Sequence, residues 1–285
     1  MIDEPARGGS SDGATFSVRL LPGALRVAQE HRLAGQQHDN LCGAFWVATL
    51  LRTDGFEVDP GLVAVAAGTV LPEGDPKLFV PAGATPRLDY GVPLPKTERP
   101  GVSGTAVAGL IEAVARLSDG DRVLVPLRAT TPWSGERVGA ALGLCRDNPG
   151  WAAVPIANVR TGALWGSNPA LDVVATWLDG RDAEVPPPDW DLGHFVSIAG
   201  TVEGRVRWLV LVRDSYPSFG WGAHHVQPPE RFAAALERGD GREGGIALYA
   251  AAGFATEIER AAKGEGFDVS GWDNGTPWPP GGRRG

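Results

Sequence analysis

Residues 36–55 read QQHDNLCGAFWVATLLRTDG and hold the clearest helical signal of the chain. Asn40 is a favourable N-cap residue, and the largely apolar residues 44–53 contain neither Pro nor Gly. The chain meets the next helix breaker at Gly55. The pattern therefore predicts a largely buried helix that carries Cys42 in its first turn.

The predicted position of Cys42 suits a nucleophile. The first turn of a helix has unpaired backbone N–H groups and the positive end of the helix dipole, which favour a thiolate or an oxyanion there. An oxyanion hole needs a second donor, and Gln36 lies six residues before Cys42. Gln37 takes that role if the helix begins one residue later. Taken alone, a Cys in an apolar helix is more often a core residue.

A second strong signal lies far along the chain, where residues 194–201 and 205–213 predict two strands joined around Gly204. His194 begins the first strand, and Asp214 follows the second. Because both lie at similar distances from the turn, their side chains can meet across neighbouring strands. A histidine held by a carboxylate is the usual base for a thiol nucleophile.

The segments between these signals alternate in type. Residues 56–104 are rich in Pro and Gly and predict a long surface excursion. Helices are predicted over residues 104–117 and 136–146, and strands over 122–128 and 152–159. We expect an α+β fold in one catalytic domain over residues 16–263, with a large insertion over about 56–190. A disordered leader is expected over residues 1–15, and an irregular or disordered tail over 264–285.

Composition excludes several classes of function. The 285 residues carry a net charge of -8, which would repel a phosphate backbone, so nucleic acid is not an expected partner. Apolar runs fall short of the roughly 18 residues that a membrane span needs, so no membrane is expected either. The two cysteines are too few for a disulfide framework. We expect a cytoplasmic protein.

Histidines elsewhere in the chain do not predict a metal site. His224 and His225 are adjacent on a predicted strand and point to opposite faces, so one of them at most can join His194 and Asp214. We therefore expect no metal and no cofactor.

Three sequence blocks resemble the papain-like cysteine peptidases, most closely the branch that removes double-glycine leaders from bacteriocins. These blocks are QQHDNLCGA at residues 36–44, GHFVSI at 193–198, and DSYP at 214–217 followed by PPERF at 228–232. The resemblance implies a papain-like fold, in which a nucleophile helix packs on an antiparallel sheet. It implies a role for four residues: Cys42 is the nucleophile and gives its backbone N–H to the oxyanion, Gln36 is the second oxyanion donor, His194 is the base, and Asp214 orients that base. Tyr216 and Trp221 are candidates for lining the cleft, because the stretch GWG at residues 220–222 is similar to an aromatic loop of the family.

The predicted reaction is hydrolysis of a peptide or small amide through an acyl-enzyme on Cys42. One alternative keeps the acyl-enzyme but passes the acyl group from a thioester or amide to an amine, as an acyltransferase or amide synthase does. Another alternative is a binding module that retains the fold with an idle thiol.

Overall fold

A computed structural model describes residues 16–184 and 186–279 of the chain. Ten strands are assigned among these residues: β1 (Ser17–Leu20), β2 (Leu71–Pro72), β3 (Lys96–Thr97), β4 (Arg122–Ala129), β5 (Val154–Arg160), β6 (Gly193–Glu203), β7 (Trp208–Arg213), β8 (His224–Gln227), β9 (Gly245–Ala251) and β10 (Phe267–Asp268). Eight α-helices accompany them in this part of the chain: α1 (Ala24–Ala34), α2 (Cys42–Thr53), α3 (Pro60–Ala66), α4 (Val107–Leu117), α5 (Gly135–Asp147), α6 (Leu171–Leu178), α7 (Pro229–Glu237) and α8 (Ala255–Gly264).

One antiparallel sheet of eight strands organises the fold. Its order is β10-β4-β9-β5-β6-β7-β8, and β1 pairs with the part of β6 that lies beyond the end of β5. The short strands β2 and β3 form a separate parallel pair. This arrangement is a mixed α+β fold built on a large antiparallel sheet, as expected for the class.

Helices cover both faces of the sheet. Because side chains alternate along a strand, Leu124 of β4 packs with helices α2, α3 and α4, whereas its neighbour Val125 packs with α5, α7 and α8. The same alternation occurs in strand β9, where Ala247 packs on the face covered by α2, α3 and α4, and its neighbour Ile246 packs on the opposite face. The sheet is therefore buried on both sides, which explains why its central strands are apolar along their whole length.

Helix α2 matches the predicted helix and is almost entirely buried. Trp46 fastens it to the sheet, because the Trp46 indole Nε1–H donates to the carbonyl oxygen of Phe195 in β6 at 3.1 Å. Asn40 does not cap the helix as predicted. It adopts a left-handed backbone with φ of 62°, and Leu41 precedes the first helical residue without a side-chain cap. Asparagine tolerates this conformation better than most residues, so Asn40 turns the chain into the helix instead.

The hairpin of β6 and β7 also follows the prediction. Ser197 pairs with Arg213 at one end and Glu203 with Trp208 at the turn, with a register shift between Ile198 and Gly200. Asp214 therefore follows the last paired residue of β7 and lies at the end of the hairpin where β6 begins.

The expected insertion over residues 56–190 is only partly an excursion. Strands β4 and β5 come from this region and lie inside the main sheet, beside β9. The Pro-rich part, with β2 and β3, is the portion that runs outside it. Local sequence patterns did not indicate this position, because β4 pairs with β9, and β5 pairs with β6 and β9, which lie far along the chain.

The C-terminal segment packs on the sheet. Residues 264–279, where an irregular or disordered tail was expected, contain β10 paired to β4 and the buried Trp272. The expected leader over residues 1–15, and residues 280–285 of the tail, lie outside the described residues. No helix in the described ranges is long and apolar enough to cross a membrane.

Candidate active site

Cys42, His194 and Asp214 come together although they are far apart in sequence. Cys42 is the first residue of α2, His194 is the second residue of β6, and Asp214 follows β7. The His194 Nε2 atom lies 3.2 Å from Asp214 Oδ1. The Cys42 side chain lies close enough to the imidazole to help raise the pKa of His194. Because Nε2 faces the carboxylate, Nδ1 is the ring nitrogen left for the thiol.

The His194–Asp214 pair is a buried ion pair. The two side chains are 1% and 2% exposed. Burial by itself lowers the pKa of His194, but the Asp214 carboxylate and Cys42 raise that pKa to about 10. Burial raises the pKa of Asp214, but the charge of His194 and the hydrogen bonds of His194 and His225 more than offset this effect, so the pKa falls well below its usual range. At neutral pH the pair is therefore imidazolium and carboxylate.

His225 contacts the second oxygen of Asp214. Its Nε2 atom lies 3.6 Å from Asp214 Oδ2, and the side chain is buried. The backbone N–H of Tyr216 donates to Oδ1 at 3.0 Å, so both carboxylate oxygens are held. His224, the neighbour of His225, instead accepts from Arg213 Nε, which places the two histidines on opposite sides of β8 as expected.

The tautomer of His225 follows from its other partner. Gln227 accepts from the Trp165 backbone N–H at 2.7 Å and donates to the Trp165 carbonyl oxygen at 3.0 Å, which fixes the amide orientation. The same Gln227 amide nitrogen lies 3.0 Å from His225 Nδ1. Nδ1 is therefore an acceptor, and the Nε2–H of His225 faces Asp214. The sequence predicted that at most one of His224 and His225 could lie beside Asp214, but it did not indicate which one.

Aromatic rings shield the pair from water. Trp190 stands edge-on to His194 with 5.2 Å between ring centroids and also contacts Tyr216 at 5.6 Å. Tyr216, predicted to line the cleft, is fully buried against the His194 ring. Trp221, the other predicted lining residue, is 46% exposed and does not line the cleft at Cys42. Trp190 was missed because it lies in a Pro-rich stretch that carries no periodic signal.

The two glutamines point in different directions. The Gln36 amide donates to the carbonyl oxygen of Thr85 at 2.7 Å, so this first choice for the oxyanion donor is engaged elsewhere. Gln37 is buried, and its amide donates to the Tyr216 hydroxyl at 3.2 Å while its carbonyl oxygen accepts from Ser215 at 2.6 Å. Gln37 therefore lies among the residues that follow Asp214. Of the two glutamines that the sequence offered, Gln37 is therefore the one that lies near Asp214.

Cys42 is the accessible thiol of the two. It is partly exposed and lines a cleft of about 320 Å³, whereas Cys145 is buried and its pKa is raised by that burial to about 12. Among the described residues, no group of three His, Cys, Asp or Glu side chains is arranged to hold a metal ion.

Comparison with known proteins places the chain in a family. A family model described as a family of unknown function, DUF6885, matches residues 21–273. The chain belongs to the DUF6885 family. A search of curated proteins finds no match. The matched range contains helix α2, the β6–β7 hairpin and the cleft-lining residues other than Asn274 and Thr276.

The DUF6885 chain thus presents a thiol, an imidazolium ion and a carboxylate in contact, with the thiol open to a cleft. Such an arrangement can attack a carbonyl carbon and protonate a leaving group. Cys42 lines the cleft as the first residue of α2, and the backbone N–H groups of a first helical turn can stabilise negative charge on an oxygen.

Proposed function

We propose that this DUF6885 protein is a cysteine-dependent hydrolase that cleaves a peptide or small amide through an acyl-enzyme on Cys42. The observation that carries the proposal is the buried His194–Asp214 pair beside a partly exposed thiol at the start of α2. A neighbouring imidazolium ion and a helix N-terminus both favour the thiolate, which is the reactive form.

The reaction proceeds in two halves. The Cys42 sulfur attacks the carbonyl carbon and forms a C–S bond, and the carbonyl oxygen becomes an oxyanion. The oxyanion collapses, the C–N bond breaks, and the Nδ1 proton of His194 passes to the departing amine. Water then attacks the thioester carbon and gives a proton to His194, and the C–S bond breaks to release the Cys42 thiolate. The acid product leaves, and Cys42 returns to its starting state.

The backbone N–H of Cys42 and the amide of Gln37 hold the oxyanion in this proposal. The Gln37 amide has two N–H bonds, and the Tyr216 hydroxyl accepts one of them. The second N–H is the one assigned to the oxyanion. Gln37 is buried and does not line the cleft, so this role requires a shift that brings the amide to the substrate, while the Ser215 contact fixes the rotation of the amide. Two such donors are the usual requirement for stabilising an acyl-transfer intermediate.

A papain-like fold is part of the proposal. A nucleophile helix packed against an antiparallel sheet, with base and orienting carboxylate on adjacent strands in the chain order Cys, His, Asp, supports it. The aromatic cover that Trp190 places over the His194 ring supports it as well. Hydrolysis is preferred to transfer onto an amine because Cys42 is partly exposed, so water reaches the acyl group.

The first experiment measures how fast iodoacetamide alkylates Cys42, with adducts mapped by mass spectrometry. We expect labelling about tenfold or more faster than that of a free thiol at pH 6. The His194→Gln variant should lose this advantage, and buried Cys145 serves as the internal control. A Cys42 rate equal to that of a free thiol and independent of His194 would sink the proposal and favour an idle binding module.

The second experiment separates hydrolysis from acyl transfer. Wild-type protein is incubated with simple acyl thioesters and excess amines, and products are identified by mass spectrometry, with Cys42→Ala as the blank. We expect the free acid as the main product. An amide as the main product would replace the hydrolase by an acyltransferase.

A further inference from the structure

The cleft at Cys42 carries an unusual charge for this protein. Its charged lining residues are three arginines and one aspartate, namely Arg160, Arg238, Asp240 and Arg242. Two positive charges are therefore in excess next to the thiol, in a chain whose net charge is -8. Asp191 neutralises part of this excess through an ion pair with Arg160, and one positive charge still remains.

Asp240 cannot neutralise the three guanidinium groups. Its Oδ2 atom lies 3.0 Å from Arg238, 3.3 Å from Arg160 and 3.9 Å from Arg242. Arg160, Arg238 and Arg242 therefore surround one carboxylate, and we call these three residues the arginine cluster. With Asp240 and Asp191 already paired to the three arginines, a third carboxylate, supplied by a ligand, would complete the charge balance.

Arg238 is the fixed part of the arginine cluster. Its side chain is 2% exposed, and its NH1 donates to Asn158 Oδ1 at 3.0 Å. A Cβ atom at Gly193 would lie 2.9 Å from both terminal nitrogens, so the guanidinium packs directly on the residue before His194. The Asn158 amide in turn donates to the His194 carbonyl oxygen at 3.4 Å. The cluster is therefore built against the strand that bears the base.

Arg160 and Arg242 are the parts that a ligand can reach. Their side chains are 27% and 31% exposed, and both line the cleft. The apolar side chains of Phe79, Leu192 and Phe195 line the same space and suit a short alkyl chain. The volume of about 320 Å³ fits a ligand the size of one or two amino-acid residues.

We propose that the cleft selects substrates that carry a carboxylate a short alkyl chain away from the scissile amide, with Arg242 and Arg160 as its donors. The inference rests on the proposed function, because it names the substrate class for the reaction at Cys42. An acidic residue beside the cleaved bond has this chemistry.

The test uses two cysteine-directed probes that differ in one group. These are N-bromoacetyl-glutamate and N-bromoacetyl-glutamine, each with its α-carboxyl blocked as a methylamide. Rates of Cys42 alkylation are measured by mass spectrometry, and iodoacetamide is run in parallel. We expect the glutamate probe to react about tenfold faster than the glutamine probe in wild type at low salt, with the ratio falling as salt rises.

Three variants sharpen the result. Arg242→Gln should bring the glutamate-to-glutamine ratio towards one, and Arg242→Glu should favour a matched probe with a lysine side chain. Arg205→Gln removes one positive charge from the exposed β6–β7 turn, away from the cleft, and should keep the wild-type ratio. Because each result is a ratio within one variant, a general change in thiol reactivity cancels.

A wild-type ratio near one, or a raised ratio that Arg242→Gln leaves unchanged, would overturn the proposed selectivity while the hydrolase proposal stands. Slow iodoacetamide labelling of Cys42 would overturn the hydrolase proposal itself and the selectivity with it.

Discussion

Asp214 is held from three directions at the scale of single residues. His194 and the Tyr216 N–H contact one carboxylate oxygen, and His225 faces the other. A fourth contact acts on the backbone, where the His31 Nε2–H donates to the Asp214 carbonyl oxygen at 2.7 Å. A carboxylate so constrained holds the His194 ring in one orientation, which is the condition for Nδ1 to face Cys42.

His225 is a positioning residue, and the His225→Ala variant tests that role. Removing its Nε2–H frees one oxygen of Asp214, so we expect the rate of Cys42 alkylation at pH 6 to fall about fivefold. His225→Gln should restore most of the rate, because an amide N–H can replace the lost donor. The matched control is His224→Ala, on the other side of β8, which should leave the pH profile of labelling unchanged. An unaltered profile in His225→Ala would contradict the assignment.

At the scale of elements, the site forms where helix α2 meets strand β6. Cys42 belongs to the helix and His194 to the strand, so their separation depends on how the two elements pack. Trp46 sets that packing, since it is fully buried and its indole N–H donates to the Phe195 carbonyl, one residue after His194. The His31 ring stacks on Trp46 at 5.1 Å and links helix α1 to the same contact.

Replacing Trp46 by Phe should affect both stability and reactivity. The change removes core volume and the indole donor to the Phe195 carbonyl, so we expect a loss of about 2–3 kcal/mol in the free energy of unfolding. The rate of Cys42 alkylation should fall as well. Trp133→Phe is the matched control on the opposite face of the sheet, where Trp133 packs on Phe267. It should cost stability but keep the alkylation rate. Equal rates in both variants would contradict the proposed link.

At the scale of the whole molecule, two buried histidines should shape how stability depends on pH. His31 is neutral because burial lowers its pKa from 6.5 to about 4. The pKa of His194 is raised from 6.5 to about 10. Below pH 6.5 the unfolded chain binds a proton that folded His31 does not, and above pH 6.5 folded His194 keeps a proton that the unfolded chain loses.

The free energy of unfolding should therefore fall on both sides of pH 6.5. On the acid side, His31 contributes a loss as pH falls from 6.5 to 4, and His31→Gln should reduce that slope, while His38 and His224, whose pKa values burial also lowers, contribute the remainder. On the alkaline side, the contribution of His194 is lost as pH rises from 6.5 to 10, and His194→Gln should remove that one. Urea unfolding across this range measures both limbs, and each variant is the control for the other. A variant that kept its own slope would contradict the assigned pKa.

The sequence by itself determined the elements and the order of the candidate residues. Helix α2, the β6–β7 hairpin and the positions of Cys42, His194 and Asp214 followed from apolar periodicity and turn residues, which act between neighbours along the chain. The α+β class followed from the same signals. That the side chains of His194 and Asp214 can meet was also implied, because both residues lie at roughly similar distances from the hairpin turn.

The tertiary structure alone decided which residues surround those three. Gln37 rather than Gln36, Trp190 over the histidine, His225 behind the carboxylate and the arginine cluster in the cleft all depend on contacts across distant segments. The physical reason is that local patterns fix the path of the backbone within an element. Which side chain faces a site is set by packing between elements, and that packing depends on the whole chain at once.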